Sequence, residues 1–297
     1  MDDSASATDY DALIRDAYAT DEALSIRIHT HEHYTHPKID FPNWVLSHIT
    51  WRGDERVLDI GAGTGMYLGL VRERVPEGVL VAGDLSHGML QRIQQRSETA
   101  GAHTVRLNAQ RLPFPDDAFD VVLANHMLFF VPDIALALSE IRRVLRADGC
   151  LLAATNSANT LAEFDTLSRR ACALLGFPGV RFEAPHNRFT LENGPKQLAR
   201  YFRAVARYDI PSHFRFADPE PALAYINSLR VLNEPQLPRE LSWEEFMEAV
   251  EKQIRRLIRR AGELRVQKLS GVLVATNGGC FARDYLAKLN GETPSEG

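Results

Sequence analysis

Val57-Leu58-Asp59-Ile60-Gly61-Ala62-Gly63-Thr64-Gly65 is an apolar run that ends in an acid and passes at once into a loop with glycine at every second position. A parallel strand buried on both faces needs such a β-branched and aliphatic run. A glycine loop at its carboxyl end lets a ligand approach the backbone, because no Cβ stands in the way. Open α/β sheets bind their ligands at that end. The spacing separates two kinds of ligand. A dinucleotide fingerprint reads G-x-G-x-x-G, and here Met66 stands where its third glycine belongs. Asp59, two residues before the first glycine, would repel a pyrophosphate but could accept a charge-assisted hydrogen bond from an ammonium group. A cofactor with a cationic amino-acid end therefore fits better than one with phosphates, although a glycine-rich turn also serves ordinary tight turns.

Outward from that loop, strands and helices alternate. Val79 to Gly83 reads as a second strand ending in Asp84. An acid about twenty residues after the loop suits a carboxylate that holds a ribose diol. Thr64 to Arg74 has helical composition, ended by Pro76 and Gly78. His103 to Leu107, Phe119 to Ala124 and Cys150 to Ala154 give three further strands, and Ile134 to Arg146 an amphipathic helix stopped by Asp148-Gly149. Val205 to Ile210 and Val272 to Thr276 read as the sixth and seventh strands. This alternation means a parallel sheet with right-handed crossovers.

Taken in order, VLDIGAGTG, GDLSHGML, NAQRLPFPDDAFDVVLANHML, VPD and RRVLRADG resemble the motifs of the class I S-adenosylmethionine (SAM)-dependent methyltransferases. The branch with quinone-biosynthesis and natural-product methyltransferases is the most similar, and the resemblance runs over residues 45 to 156. It implies an α/β fold: a Rossmann-like seven-stranded, mostly parallel sheet with an antiparallel last strand, helices on both faces and a helical cap. It also implies site residues. Asp59 and the backbone of Gly61, Ala62, Gly63 and Gly65 would surround the methionine part of SAM. Asp84 would bind the ribose hydroxyls, and Leu85 would pack on the adenine. Asn108 would accept from the adenine amino group, Ala109 would offer a backbone N–H to the ring, and Asn125 would lie beside the methionine amino group and the reactive methyl. S-adenosylhomocysteine would be the product. Asn108 stands where many relatives carry Asp; its oxygen can still accept, without the charge, at a cost of about 1 kcal/mol. Plain loop polarity also accounts for Asn108 and Asn125. Several relatives carry a His just before the V/M-P-D turn, where it can act as a base. Phe130 occupies that position here, which rules a base out there.

Composition bounds the partners. The chain has 297 residues, enough for one large α/β domain with an additional cap or for two small domains. A formal net charge of −5 argues against a sequence-independent hold on nucleic acid. Cys150, Cys172 and Cys280 are far apart and form no C-x-x-C pair, a pattern that suits reduced thiols in a cytoplasm and not a disulfide framework or a zinc site. The acidic amino terminus lacks the apolar core of a signal peptide, so a cytoplasmic location is expected. The most apolar stretch, Phe119 to Leu138, is interrupted by Asp120, Asn125, His126, Pro132 and Asp133 and is not a membrane span. No feature bears on oligomeric state, and the tail Thr293 to Gly297 reads as disordered.

Four segments follow: a leading helical lid over 1–50, the SAM-binding core over 51–156, a cap insertion over 157–203, and completion of the sheet with long helices over 204–290. The lid carries a helical pattern through Ala12, Ile14, Ala17 and Ala23, and its Tyr10, Tyr18, Tyr34 and Trp44 could cover a planar substrate or a sulfonium, or simply pack. His29, His31, His33 and His36 could hold a divalent metal, His29 and His33 sharing a helix face. Glu32 is the only nearby acid, however, and the cluster reads better as a solvated or substrate-facing polar loop, with no metal assigned. In the insertion, Leu161 to Leu175 is helical, and His186, Arg188 and Phe189 are candidate substrate contacts. Ser242 to Leu264 is a long helix whose acids lead and whose bases trail, favourable to its dipole and read as a solvated face.

Methyl transfer from a sulfonium is an in-line displacement at carbon, and holding the acceptor behind the S–CH3 bond can lower a barrier by up to ~7–11 kcal/mol. An oxygen or carbon acceptor needs a base, for which Tyr34, His126 and His186 are the candidates; an amine does not. The expected function is methylation of a small molecule in secondary or quinone-like metabolism. The alternative is a SAM-binding protein of the same fold that does not methylate, a cyclase or regulatory module.

Overall fold

The computed structural model of the chain describes residues 21–96 and 101–282. Among them, eight strands share one hydrogen-bonded sheet: β1 (Thr35–His36), β2 (Arg56–Ile60), β3 (Val79–Asp84), β4 (His103–Arg106), β5 (Phe119–Leu123), β6 (Leu145–Asn156), β7 (Ala204–Phe216) and β8 (Leu264–Thr276). Their order is β1-β7-β8-β6-β5-β2-β3-β4. The pairs β2–β3, β2–β5, β3–β4 and β5–β6 are parallel, and β6–β8 and β1–β7 antiparallel. This is the expected Rossmann-like sheet of seven strands with an eighth, the two-residue β1, paired along the edge of β7. Two residues are too few to register as a hydrophobic pattern.

The central strands form where the apolar runs dictate. All five residues of β5 are buried, as are Val57, Leu58, Asp59 and Ile60 of β2. Helices follow with signals of their own. Ser86 caps helix His87–Gln95, and the Asp133 carboxylate accepts the Leu136 N–H at 2.9 Å to start helix Ile134–Val144. Arg143 on that helix fixes the loop behind β4: its guanidinium donates to the carbonyls of Leu112 and Phe114 at 3.1 and 2.8 Å and to the Glu140 and Asp116 carboxylates at 2.7 and 2.9 Å.

The chain divides into two compact units, each discontinuous in sequence. Among the described residues, one holds 40–96, 101–158, 186–210 and 270–282, and contains β2 to β6; the other holds 21–39, 159–185 and 211–269. Segment 51–156 falls wholly in the first unit, and the other three expected segments are shared between the two. The long strands β7 and β8 run from one unit into the other.

In the second unit an aromatic cluster packs around Phe164, Phe214, Phe216, Tyr225 and Trp243. Helix Trp243–Ala261 supplies Phe246, Val250 and Ile254 to it, opens with a Ser242–Glu245 capping box and closes on Gly262 at φ 82°. Its polar side carries the ion pairs Arg255 with Glu251 at 2.6 Å and Lys252 with Glu248 at 2.7 Å. The histidine segment is helix Asp21–Tyr34 followed by β1, not a loop. His29 and His33 stack at 4.0 Å, His31 lies 5.0 Å from the Phe214 ring, and His36 faces His213 at 6.2 Å.

A second expectation is corrected. Cys150 and Cys280 are joined as a disulfide, with Cα atoms 6.2 Å apart, and Cys172 is the free, buried thiol among the described residues. A partner 130 residues away leaves no spacing signal in the sequence. Tyr10, Tyr18, the helical positions Ala12, Ile14 and Ala17, and the tail 293–297 lie outside the described residues. Among those described, no helix is long and apolar enough to cross a membrane.

Candidate active site

The carboxyl ends of β2, β3 and β5 meet in the first unit, and the glycine loop begins there. Gly61, Gly63 and Gly65 all sit at positive φ, 68°, 56° and 79°. A side chain at Gly61 would be excluded twice, since its Cβ would come within 2.8 Å of Met127 Cβ. The turn is fastened to β3, with the N–H groups of Gly61 and Ala62 donating to the Gly83 carbonyl at 2.8 and 3.1 Å. A Cβ at Gly83 would lie 2.2 Å from a Leu107 side-chain methyl, so any larger residue there would require Leu107 to shift.

Asp84 ends β3. One carboxylate oxygen accepts the Gly63 N–H at 2.9 Å, and the other accepts the Ser86 N–H at 2.8 Å. Each oxygen keeps a second lone pair for a ribose hydroxyl. Leu85 beside it is 56% exposed, a large apolar surface left for a flat ring. Asn108 is exposed at the tip of the loop after β4, where its Oδ1 accepts the Gln110 N–H at 2.9 Å, while Ala109 is buried.

Asp59 is the site's electrostatic anomaly. It is 2% exposed, its Oδ2 has no hydrogen-bond partner, and its pKa is pushed up to about 8, first by burial and then by the charge of Asp84. Native proteins rarely leave a buried carboxyl oxygen orphaned. An ammonium would both satisfy Oδ2 and return the group to its charged form. Asn125 has the complementary defect. Its Oδ1 accepts the Ala154 N–H at 3.0 Å, which fixes Nδ2 as the outward donor, and Nδ2 has no partner. An acceptor and a donor, both buried and both orphaned, fit the two charged ends of an α-amino acid. The residues present thus suit the methionine part of SAM.

Among the catalytic candidates, His126 follows Asn125 directly. It sits at φ 54°, its N–H donates to the Ala154 carbonyl at 2.8 Å, and its ring lies 5.4 Å from that of Phe41. His186 is half-buried in a short helical turn, Pro185–Arg188; burial holds its pKa below the usual imidazole range, against an opposing pull from Glu192. Arg188 donates to the Pro132 carbonyl at 2.6 Å, and Phe189 is 1% exposed and packs as core. Phe130 stacks edge-on with Phe129 at 4.4 Å and offers no base. Tyr34 belongs to the other unit, where its ring lies 5.2 Å from Phe216. The sequence reading passed over Tyr67, whose buried hydroxyl has no partner. A tyrosine after a glycine loop reads as core, and only the orphaned oxygen marks it out. No group of three or more His, Cys, Asp or Glu among the described residues is placed to hold a metal ion.

Residues 58–153 match the family model for a methyltransferase domain. Over 100 residues the chain is 44% identical to the ubiquinone/menaquinone biosynthesis C-methyltransferase UbiE of Xanthomonas campestris, an alignment covering 32% of this chain and 40% of that protein. It is 34% identical over 145 residues to the demethylmenaquinone methyltransferase of Geobacillus stearothermophilus, covering 43% of this chain and 62% of the relative. The chain therefore spans about two fifths to three fifths of the length of these relatives. The crystal structure of the YcgJ protein of Bacillus subtilis superposes with a TM-score of 0.52 over 81% of this chain and 100% of its own, at 18% identity, which shows a shared fold.

Proposed function

We propose that this chain, whose core is a class I SAM-dependent methyltransferase domain, transfers the methyl group of SAM to a small molecule, and that the acceptor is an electron-rich ring of the kind found in reduced quinones. The pair of orphaned groups, Asp59 Oδ2 and Asn125 Nδ2, carries the cofactor half of this reading. The acceptor half takes its support from the quinone methyltransferases that the core resembles. SAM, when bound, supplies an electrophilic methyl on a sulfonium.

The chain's own residues do the rest. Asp59 holds the ammonium, Asn125 donates to the carboxylate, Asp84 takes the ribose diol and Leu85 covers the adenine. With the cofactor held at both ends, the acceptor needs only to be aligned behind the methyl, which is the larger share of such catalysis. A ring acceptor loses a proton as it gains the methyl. His126, at the strand tip beside Asn125, is the base assigned here, because it adjoins the cofactor residues in sequence and in fold. His186 would serve as a neutral imidazole in the same unit.

The test is a direct assay. The protein incubated with SAM and a reduced 1,4-naphthoquinone bearing an unsubstituted ring position is expected to release S-adenosylhomocysteine and a product heavier by one methyl. Loss of both signals in H126A, with S-adenosylhomocysteine affinity intact, supports the assigned base. Cofactor binding without turnover on any quinol, phenol or amine would overturn the methyltransferase reading.

A further inference from the structure

We propose that Tyr67 is a cofactor-binding residue, its phenolic oxygen sharing with Asp59 Oδ2 the hydrogen bonds of the cofactor's α-ammonium group. The inference rests on the reading above and adds a residue that the motif reading does not assign. Tyr67 is the last residue before helix Leu68–Arg74, two residues after Gly65 of the glycine loop. Its side chain belongs to the buried cluster that includes Val45, Leu46, Leu68 and Val71, and it is 7% exposed. The hydroxyl at its end is buried and has no hydrogen-bond partner. Phenylalanine would give the same ring packing without the desolvation penalty of an unpaired hydroxyl. An oxygen kept there at that cost points to a partner from outside the chain.

The surroundings identify the partner's chemistry. The phenol is held well above its ordinary range, chiefly by burial, with further contributions from the charges of Asp59 and Asp40. It is therefore a neutral hydroxyl lying in the field of the Asp59 carboxyl, yet the two oxygens do not bond to each other. A phenolic oxygen can accept as well as donate, so a donor with several hydrogens can satisfy both it and the carboxyl oxygen. An ammonium has three. Asn125 Nδ2, of opposite polarity, suits the carboxylate on the same carbon. Two acceptors and one donor match a zwitterionic amino acid.

Calorimetric titration of wild-type and Y67F protein with three probes separates the outcomes. The probes are S-adenosylhomocysteine, its analogue lacking only the amino group, 5′-S-(3-carboxypropyl)-5′-thioadenosine, and 5′-methylthioadenosine, which lacks the whole amino-acid end. Y67F is expected to weaken S-adenosylhomocysteine about tenfold, as for a lost hydrogen bond to a charged group, and to leave the other two within twofold. Equal affinity of both proteins for S-adenosylhomocysteine, or an equal loss for all three probes, would overturn the role given to Tyr67 while leaving the cofactor reading intact. A wild-type protein that binds none of the three would overturn that reading itself. Matching melting curves for the two proteins, or a higher midpoint for Y67F, accompany the expected result, because the substitution removes an unpaired polar group.

Discussion

Two aspartates on adjacent parallel strands have similar burial and opposite electrostatics. Asp120, near the amino end of β5, is 8% exposed, and its carboxylate accepts from the Arg56 N–H at 2.9 Å, Arg146 Nη1 at 2.8 Å and Arg52 Nη2 at 3.3 Å. Those donors hold its pKa below the ordinary carboxylate value in spite of burial. Asp59, near the carboxyl end of β2, has an orphaned oxygen and a pKa near 8. The first is a charge that the fold completes from its own residues. The second is a charge that the fold leaves to a ligand. Burial alone does not separate structural from functional acids; the partner count does.

That contrast breaks if the two residues can be exchanged in their effects. The largest expected difference is in affinity. D59N should weaken S-adenosylhomocysteine binding by a factor on the order of 10²–10³, as for truncating one side of a buried charge pair, whereas D120N should leave it within twofold. Calorimetry on both variants settles the matter, and equal losses would erase the distinction.

Next in size is pH. The ammonium binds the charged form of Asp59, so below pH 8 binding must expel a proton. Affinity should fall by up to about tenfold per pH unit between pH 8 and 6, with proton release visible as a buffer-dependent heat. D59N should flatten this dependence and D120N should preserve it.

The smallest effect is on stability, and here the two signs differ. Asp59 has a folded pKa of about 8 against 3.8 for the unperturbed group, so the unfolded chain binds fewer protons between those values. Its contribution to stability is full below the lower value and is lost as pH rises through the upper one. Asp120 has a lowered folded pKa, so its contribution is present above the unfolded value and disappears in acid. At pH 8.5 in ligand-free protein, D59N should match or exceed wild type in denaturant unfolding. D120N should lose about 2 kcal/mol, a figure reduced because Arg52 and Arg146 are half-exposed. Both variants destabilising alike would show Asp59 to be a second structural charge.

Much of this site can be read in the sequence, and what escapes does so for identifiable reasons. Asp59, the glycine loop and Asp84 announce themselves because a doubly buried strand and a backbone that must approach a ligand restrict composition severely. The capping box at Ser242 and Glu245 likewise fixes one helix start from two residues. The second half of β7 and the first half of β8 escape the sequence pattern. Pro211 reads as a strand end, yet Ser212, Phe214 and Phe216 continue the inward alternation beyond it. In β8, exposed Arg265 and Gln267 alternate with buried Leu264, Val266 and Lys268, a period of two hidden by the charges of the preceding helix. Tyr67 and the Cys150–Cys280 pair depend on tertiary neighbours that no local pattern encodes.

Asp84 carries a consequence for anyone altering the site. In the proposed site its carboxylate would hold a diol, and it is already the peg from which Gly63 and Ser86 hang. Substitution at position 84 therefore slackens the turn and the start of the next helix along with the sugar's grip. A weakened nucleoside in such a protein reports two faults at once, and their sizes separate only when the loop's own rigidity is measured alongside.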